Sequence, residues 1–345
     1  MEKHNMKNKL TKIGVSALCG SLAAISAQAG EMSVSGTATA TWTKGSQSTN
    51  GNPLGMNSGL TFKGTGELDN GTAVTYVLTH ADKAAYSVGS IALATPGMGT
   101  FTISHASGGG GIGGYDDKMP TAWEETWGNA IATSVNLQKG SGSSANIMWT
   151  SPSMGNTKLK IAFAPRNDGS QANDKASTGA ANSAVGAGID VVIDSTPIEG
   201  FNLWIAGSKT DKPSLQNGLL EDTDDHHEAN IGGVFTLGPV SVGAAKAVEF
   251  TGAETAGTVS YYNNTMYGVS FNVNDDLSLS ANRFESQKKI AARFSPVMEV
   301  TSFQAAYSMG GASFKLAKTD SDNTAYSNAT SAQKDAWIMA MTLAF

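Results

Sequence analysis

Asp116, Asp117, Glu124 and Glu125 are four carboxylates in one stretch, with Lys118 set among them. Such a set acts on charge, drawing cations and repelling anions where water is thin around it. The stretch runs from Ala106 to Gly140 and has no strand pattern of its own. Long connections of that kind are usually either functional or disordered. Trp123 and Trp127, with the two glutamates between them, argue against disorder. The stretch is therefore read as a loop enclosed by the rest of the chain. Pro120 and Gly128 bracket one or two expected helical turns. On such turns Trp123 and Trp127 share a face that packs on the enclosing wall, while Glu124 and Glu125 point inward. The preceding Gly108–Gly114 run is read as a flexible hinge.

Bond-making chemistry finds no support. Gly108-x-Gly110-x-x-Gly113 formally matches a dinucleotide fingerprint, but that motif needs a helix directly after it. Tyr-Asp-Asp-Lys-Met-Pro follows instead. No serine sits in a nucleophile elbow, and the five histidines lack helical metal-ligand spacing. Asp222, Asp224, Asp225, His226, His227 and Glu228 form a second charged run. Adjacent residues seldom converge on one ion, so this run is read as a solvated acidic loop rather than a metal site. No catalytic residue, cofactor, metal or nucleic acid is expected.

Residues 1–29 read as a cleaved secretory leader. Lys3, Lys7, Lys9 and Lys12 form its basic part, Ile13 to Ile25 its apolar part, and Ala27-Gln28-Ala29 the cleavage site. Leu18 is too large to precede a lipidated Cys19. Cleavage removes the sole cysteine, four lysines and one glutamate, leaving residues 30–345 without disulfides and at a net charge of −9. No later apolar run approaches the ~20 residues that a spanning helix needs. Strands of ~9–11 residues cross a bilayer while only half apolar.

The segments that must hold the loop alternate with period two. From Ser33 to Thr43 the even positions carry Val34, Gly36, Ala38, Ala40 and Trp42, and the odd ones only Ser and Thr. Ser58–Leu68 repeats this, with Leu60 and Phe62 against Thr61, Lys63, Thr65 and Glu67. Fourteen further candidates follow, among them Thr157–Pro165, Gly188–Asp194, Glu228–Leu237, Leu277–Phe284 and Asp335–Phe345. Their connections alternate strictly between seven short ones rich in turn residues, such as Thr196-Pro197, and eight long polar ones. The long ones include Thr210–His227, Thr251–Asn264 and Glu285–Met298. A soluble sandwich or propeller would mix turn lengths or repeat every ~40 residues. The pattern reads as all-β, a transmembrane antiparallel barrel of about sixteen strands with its third long loop folded inward.

Barrels of that size enclose an aqueous channel. Alternation then directs Lys63, Lys158, Lys160 and Lys315 inward, opposite the acids, with Arg283 a further inward candidate near a rim. The last strand presents Trp337, Met339, Met341, Leu343 and Phe345 to lipid.

Several segments resemble the trimeric general porins of Gram-negative outer membranes. Asn146-Ile-Met-Trp149-Thr-Ser151-Pro152, Gly155 and Leu159-Lys-Ile-Ala-Phe163-Ala-Pro165 are similar to that family's sixth and seventh strands. Ser90–Leu93 and Gly99–Ser104 resemble the hairpin before its third loop. Phe345 at the C-terminus resembles its assembly signal for the barrel assembly machinery. Two features depart: Gly108–Gly114 replaces a Pro-Glu-Phe-Gly-Gly signature, and Met148 stands where the family often points an arginine into the pore. The resemblance implies a homotrimer in outer-membrane lipid, acting as a passive diffusion channel for small hydrophilic solutes. The acidic chain and loop lead to an expectation of weak cation selectivity. A channel selective for one nutrient class is the alternative.

Overall fold

The structure is a computed structural model and describes residues 30–45, 52–82, 88–105, 111–127, 133–141, 145–165, 187–216, 219–253, 257–290 and 293–345. The leader expected over 1–29 lies outside the described residues. The chain runs β1 (Met32–Gly45), β2 (Leu54–Glu67), β3 (Ala73–Ala81), β4 (Val88–Thr95), β5 (Gly99–His105), β6 (Asn146–Thr150), β7 (Thr157–Ala164) and β8 (Gly188–Ile198). It continues through β9 (Phe201–Gln216), β10 (Leu219–Leu237), β11 (Val240–Phe250), β12 (Val259–Asn272) and β13 (Leu277–Ile290). Then come β14 (Arg293–Phe294), β15 (Met298–Met309), β16 (Ala312–Asp322) and β17 (Lys334–Ala344). β14 is a two-residue strand hydrogen-bonded to the end of β13, which leaves sixteen strands to make the wall.

Each wall strand pairs antiparallel with its sequence neighbours, and β17 pairs with β1, so the sheet closes on itself. Beyond the last register pair, the Gly36 N–H donates to the Phe345 carbonyl at 2.7 Å and the Phe345 N–H returns the bond at 3.0 Å. Closure satisfies every edge, which a barrel in lipid requires because no water is there to do so. Outward rows are apolar: Val34, Leu60, Tyr76, Ile91 and Ile103 stand exposed, and Trp337, Met339, Met341, Leu343 and Phe345 are each at least 40 % exposed. A water-facing surface would not carry such a continuous belt.

Inward rows differ around the ring. From β1 to β3 they carry Thr37, Thr39, Thr41, Thr61 and Thr79, with hydroxyl pairs such as Thr61 Oγ1 to Thr79 Oγ1 at 3.2 Å. From β8 to β15 they carry Val192, Trp204, Ala206, Ala245, Met266, Phe284, Met298 and Val300, all buried with Ile112 and Tyr115 of the third long loop. The apolar core therefore lies inside the barrel, on one side, beneath that loop.

Several strands outlast the sequence reading. The expected loops Thr210–His227, Thr251–Asn264 and Glu285–Met298 hold the outer parts of β9, β10, β12 and β13. Apolar alternation stops at the bilayer, but backbone pairing continues where polar cross-strand contacts hold the ribbon. Lys209 Nζ lies 2.8 Å from Asp225 and 3.3 Å from Asp211 in one such ribbon. Thr196-Pro197 likewise does not form a turn; β8 passes through it with a register shift, and Glu199-Gly200 reverses the chain.

Candidate functional site

The loop between β5 and β6 enters the lumen and lies along the inner wall from β8 to β15. Asp190, fully buried on the inward face of β8, holds both of its ends. The Ile112 N–H donates to Asp190 Oδ2 at 3.0 Å, and the Ser141 N–H and Oγ–H donate to Oδ1 at 2.9 and 2.8 Å. Gly111 (φ 62°) and Gly140 (φ 58°) press on the same carboxylate. A Cβ at either would come within 2.4 Å of Asp190 Oδ2, so side chain and backbone conformation both exclude other residues. Gly111–Tyr115 is a buried 3-10 turn, so this part of the glycine run is packed rather than a flexible hinge, while Gly108–Gly110 lie outside the described residues. Here glycine serves close packing.

Tyr115 follows and is fixed from three sides. Its hydroxyl donates to Asp194 Oδ2 at 2.6 Å, Lys160 Nζ donates to that hydroxyl at 2.6 Å, and Asn230 Nδ2 donates to its carbonyl at 3.0 Å. Burial and the neighbouring Asp194 carboxylate push its phenol far above the ordinary range. Farther along, the Pro120 carbonyl accepts from Asn282 Nδ2 at 2.7 Å, and the Ala122 N–H donates to Ser280 Oγ at 2.9 Å. Gln304 on β15 receives the N–H groups of Trp123 and Glu124 through Oε1, while its Nε2 donates to the Glu124 carbonyl. Residues 120–127 make bends and a turn rather than the expected helical turns, because these wall side chains take up the backbone groups a helix would pair internally.

Trp127 packs on Phe284 with ring centroids 4.7 Å apart. Trp123 instead faces Lys315 Nζ at 5.9 Å from its ring centre. The return limb is bound in the same way: the Lys139 and Gly140 N–H groups donate to the Glu228 carboxylate at 2.9 and 2.6 Å. Asn264 Nδ2 donates to the Asn136 carbonyl at 2.8 Å, and the Ala325 N–H to the Thr133 carbonyl at 2.9 Å.

The loop carries its acids part-exposed on this support, Asp117 most so. Burial, then the charge of Asp117, raises the Asp116 carboxyl to about 7. Burial and then Glu125 raise Glu124 as well, against an opposing pull from Lys315. Lys63, Lys158, Lys160 and Lys315 all fall on inward rows by register. They do not form one bank. Lys158 and Lys160 line a cleft of about 590 Å³ with Asp194, Glu199, Thr150 and Asn156 at the short-turn end. Lys160 is matched by Asp194 at 3.4 Å. Lys315 Nζ donates to Thr342 Oγ1 at 3.3 Å, and Lys63 is exposed on β2 opposite Ser33. Met148 sits inward on β6, between Thr102 and Ala162.

Arg283 corrects its expected inward placement. It lies on the outer face of β13, 2.6 Å from Glu285 and 2.8 Å from Glu299, since its neighbour Phe284 takes the inward position against Trp127. The charged run at 222–228 is also not a loop: it belongs to β10, where Asp225 meets Lys209 while His226 and Glu228 turn inward. Sequence reasoning passed over the anchors Asp190, Glu228, Asn282 and Gln304. A signal was present in β8, where Asp190 and Asp194 interrupt an otherwise apolar run on one face.

A family profile described as Gram-negative porin matches residues 14–282. No curated protein sequence matches the chain. Solved structures share the fold at low identity. A trimer form of OmpT, an outer membrane protein of Vibrio cholerae, aligns with TM-score 0.64 and 9% identity over 92% of this chain and 99% of its own. OmpF of Salmonella typhi, in complex with daunomycin, gives 0.65 and 12% over 92% and 98%. An anion-selective porin from Comamonas acidovorans gives 0.60 and 13% over 92% and 100%. With the profile spanning most of the chain and a closed barrel of sixteen wall strands around an inward loop, the chain belongs to the Gram-negative porin family and is an outer-membrane channel.

Proposed function

We propose that this porin is a weakly cation-selective passive diffusion channel for small hydrophilic solutes, working as a homotrimer after removal of residues 1–29. The observation that carries the reading is the asymmetry of the lumen. The loop bearing Asp116, Asp117, Glu124 and Glu125 covers the β8–β15 side, and the uncovered β1–β3 side is lined by threonine hydroxyls. Solutes passing between these surfaces meet acids on one side and, on the other, threonine hydroxyls with Lys63 among them. Opposing lysines moderate the field, since Lys160 already has Asp194 and Lys315 lies near Glu124. Among the described residues the lining offers no ladder of aromatics, which speaks against selection of a single nutrient class. Trimeric assembly is supported by the trimer form of the Vibrio cholerae neighbour.

The sign of selectivity is open to test, because one neighbour of the same fold is described as anion-selective. Zero-current potentials in a KCl gradient across planar bilayers should show a few-fold preference for potassium. Replacing the four acids by Asn or Gln should move the potential toward chloride while conductance stays comparable or rises. An unchanged potential would mean that the acids do not line the path.

A further inference from the structure

His226, Glu228 and Glu249 bring three donor side chains together on the lumen face at the foot of the loop's return limb. His226 and Glu228 are two apart on β10 and share its inward face; Glu249 on β11 is in register opposite Glu228. One donor atom from each lies within 4.8 Å of the other two. His226 Nε2 is 3.0 Å from Glu249 Oε1 and 3.8 Å from Glu228 Oε1. Zinc bonds of about 2.0–2.2 Å hold neighbouring tetrahedral donors about 3.3 Å apart. The two distances bracket that value.

Electrostatics favours an occupant. Carboxylates directly opposite on adjacent strands repel, and the Glu228 side chain is only 1% exposed. One imidazole offsets at most one of the two charges. The carboxylates are also held in place from outside the cluster, Glu228 by the Lys139 and Gly140 N–H groups and Glu249 by Asn136 Nδ2. Such outer contacts orient metal ligands and tune their basicity. Access exists, since the His226 and Glu249 side chains remain 18% and 15% exposed.

The geometry points to a binding site for a divalent first-row transition metal, zinc foremost, formed by His226, Glu228 and Glu249. An imidazole with two carboxylates suits such ions better than calcium or magnesium, which prefer oxygen ligands alone. Because the Asn136–Gly140 limb holds two of the ligands, an ion here would staple the loop to the wall. The inference stands apart from the sign of ion selectivity.

Equilibrium dialysis of the folded, detergent-solubilised protein against zinc chloride at neutral pH tests it. One zinc per chain should be retained and then lost to a chelator. His226→Gln and Glu249→Gln should each weaken retention by at least about tenfold. His227→Gln alters the next residue, which is exposed on the opposite face of β10, and should leave retention unchanged. Heat-modifiable migration on gels establishes that each variant has a folded barrel. Absence of retained zinc, equal retention by the wild type and His226→Gln, or equal loss in His227→Gln would each overturn the site.

Discussion

Asp190 holds the loop by one carboxylate with three donors from two ends of the same segment. Asp190→Asn keeps the shape but sets an amide N–H against an N–H donor at one end. A buried donor left without an acceptor costs about 1–3 kcal/mol, enough to loosen that end while the barrel persists. Single-channel recordings should show added open-channel noise in the variant, with unchanged heat-modifiable migration; variant currents as quiet as those of the wild type would contradict the anchoring role. Asp116 makes a separate prediction. Its carboxyl titrates at about 7, so it is neutral below that value and charged above it. Potassium preference should therefore fall as pH drops from about one unit above to about one unit below this midpoint. Asp116→Asn should be flat over the same window, and a wild type that is equally flat would remove Asp116 from the conduction path.

At the scale of elements, β17 and β1 decide whether the sheet closes. The final residue makes two backbone bonds to Gly36, and its ring lies over that glycine, where an added Cβ would meet it at 2.5 Å. The side chain is 73% exposed, so what it contributes to burial within the protein is small. Burying one aromatic side chain is worth ~2–3 kcal/mol at most. If Phe345 is read during insertion, its deletion should reduce folded barrel far more than that figure allows and leave periplasmic aggregate. Normal yield and normal heat-modifiable migration of the deletion variant would show that the residue has only a packing role.

On the scale of the whole molecule, two solvents shape one sheet. Lipid selects the outward rows, and the lumen divides into a filled half and an open half. The filled half behaves as an ordinary protein interior, with Phe284, Met266, Trp204 and Val300 packed under the loop. That packing fixes the acids against a closed wall, so their field does not relax as it would on a mobile surface loop. Ions that pass within the ~8 Å screening length at physiological salt feel these charges. Neutralising all four acids should consequently be felt by every permeating ion, whereas charges on the outer rim, such as Arg283 with Glu285 and Glu299, should leave the potential untouched.

Most of the barrel was legible along the chain. Strand number, alternation and the inward rows of Lys63, Lys158, Lys160 and Lys315 all follow from one local rule. A strand between lipid and water must show a different face to each, and its period of two is written in consecutive residues. β13 marks where the rule weakens: outward Ala281, Arg283 and Glu285 alternate with inward Asn282, Phe284 and Ser286, and neither row beyond Leu279 is uniformly apolar. The side facing lipid there was decided by Phe284 meeting Trp127. The anchors were likewise beyond sequence reading. Asp190 meets Ile112 across 78 positions, Gln304 meets Glu124 across 180, and His226 meets Glu249 across 23. Such contacts depend on strand register and loop path, which closure of the whole barrel sets and no short window contains.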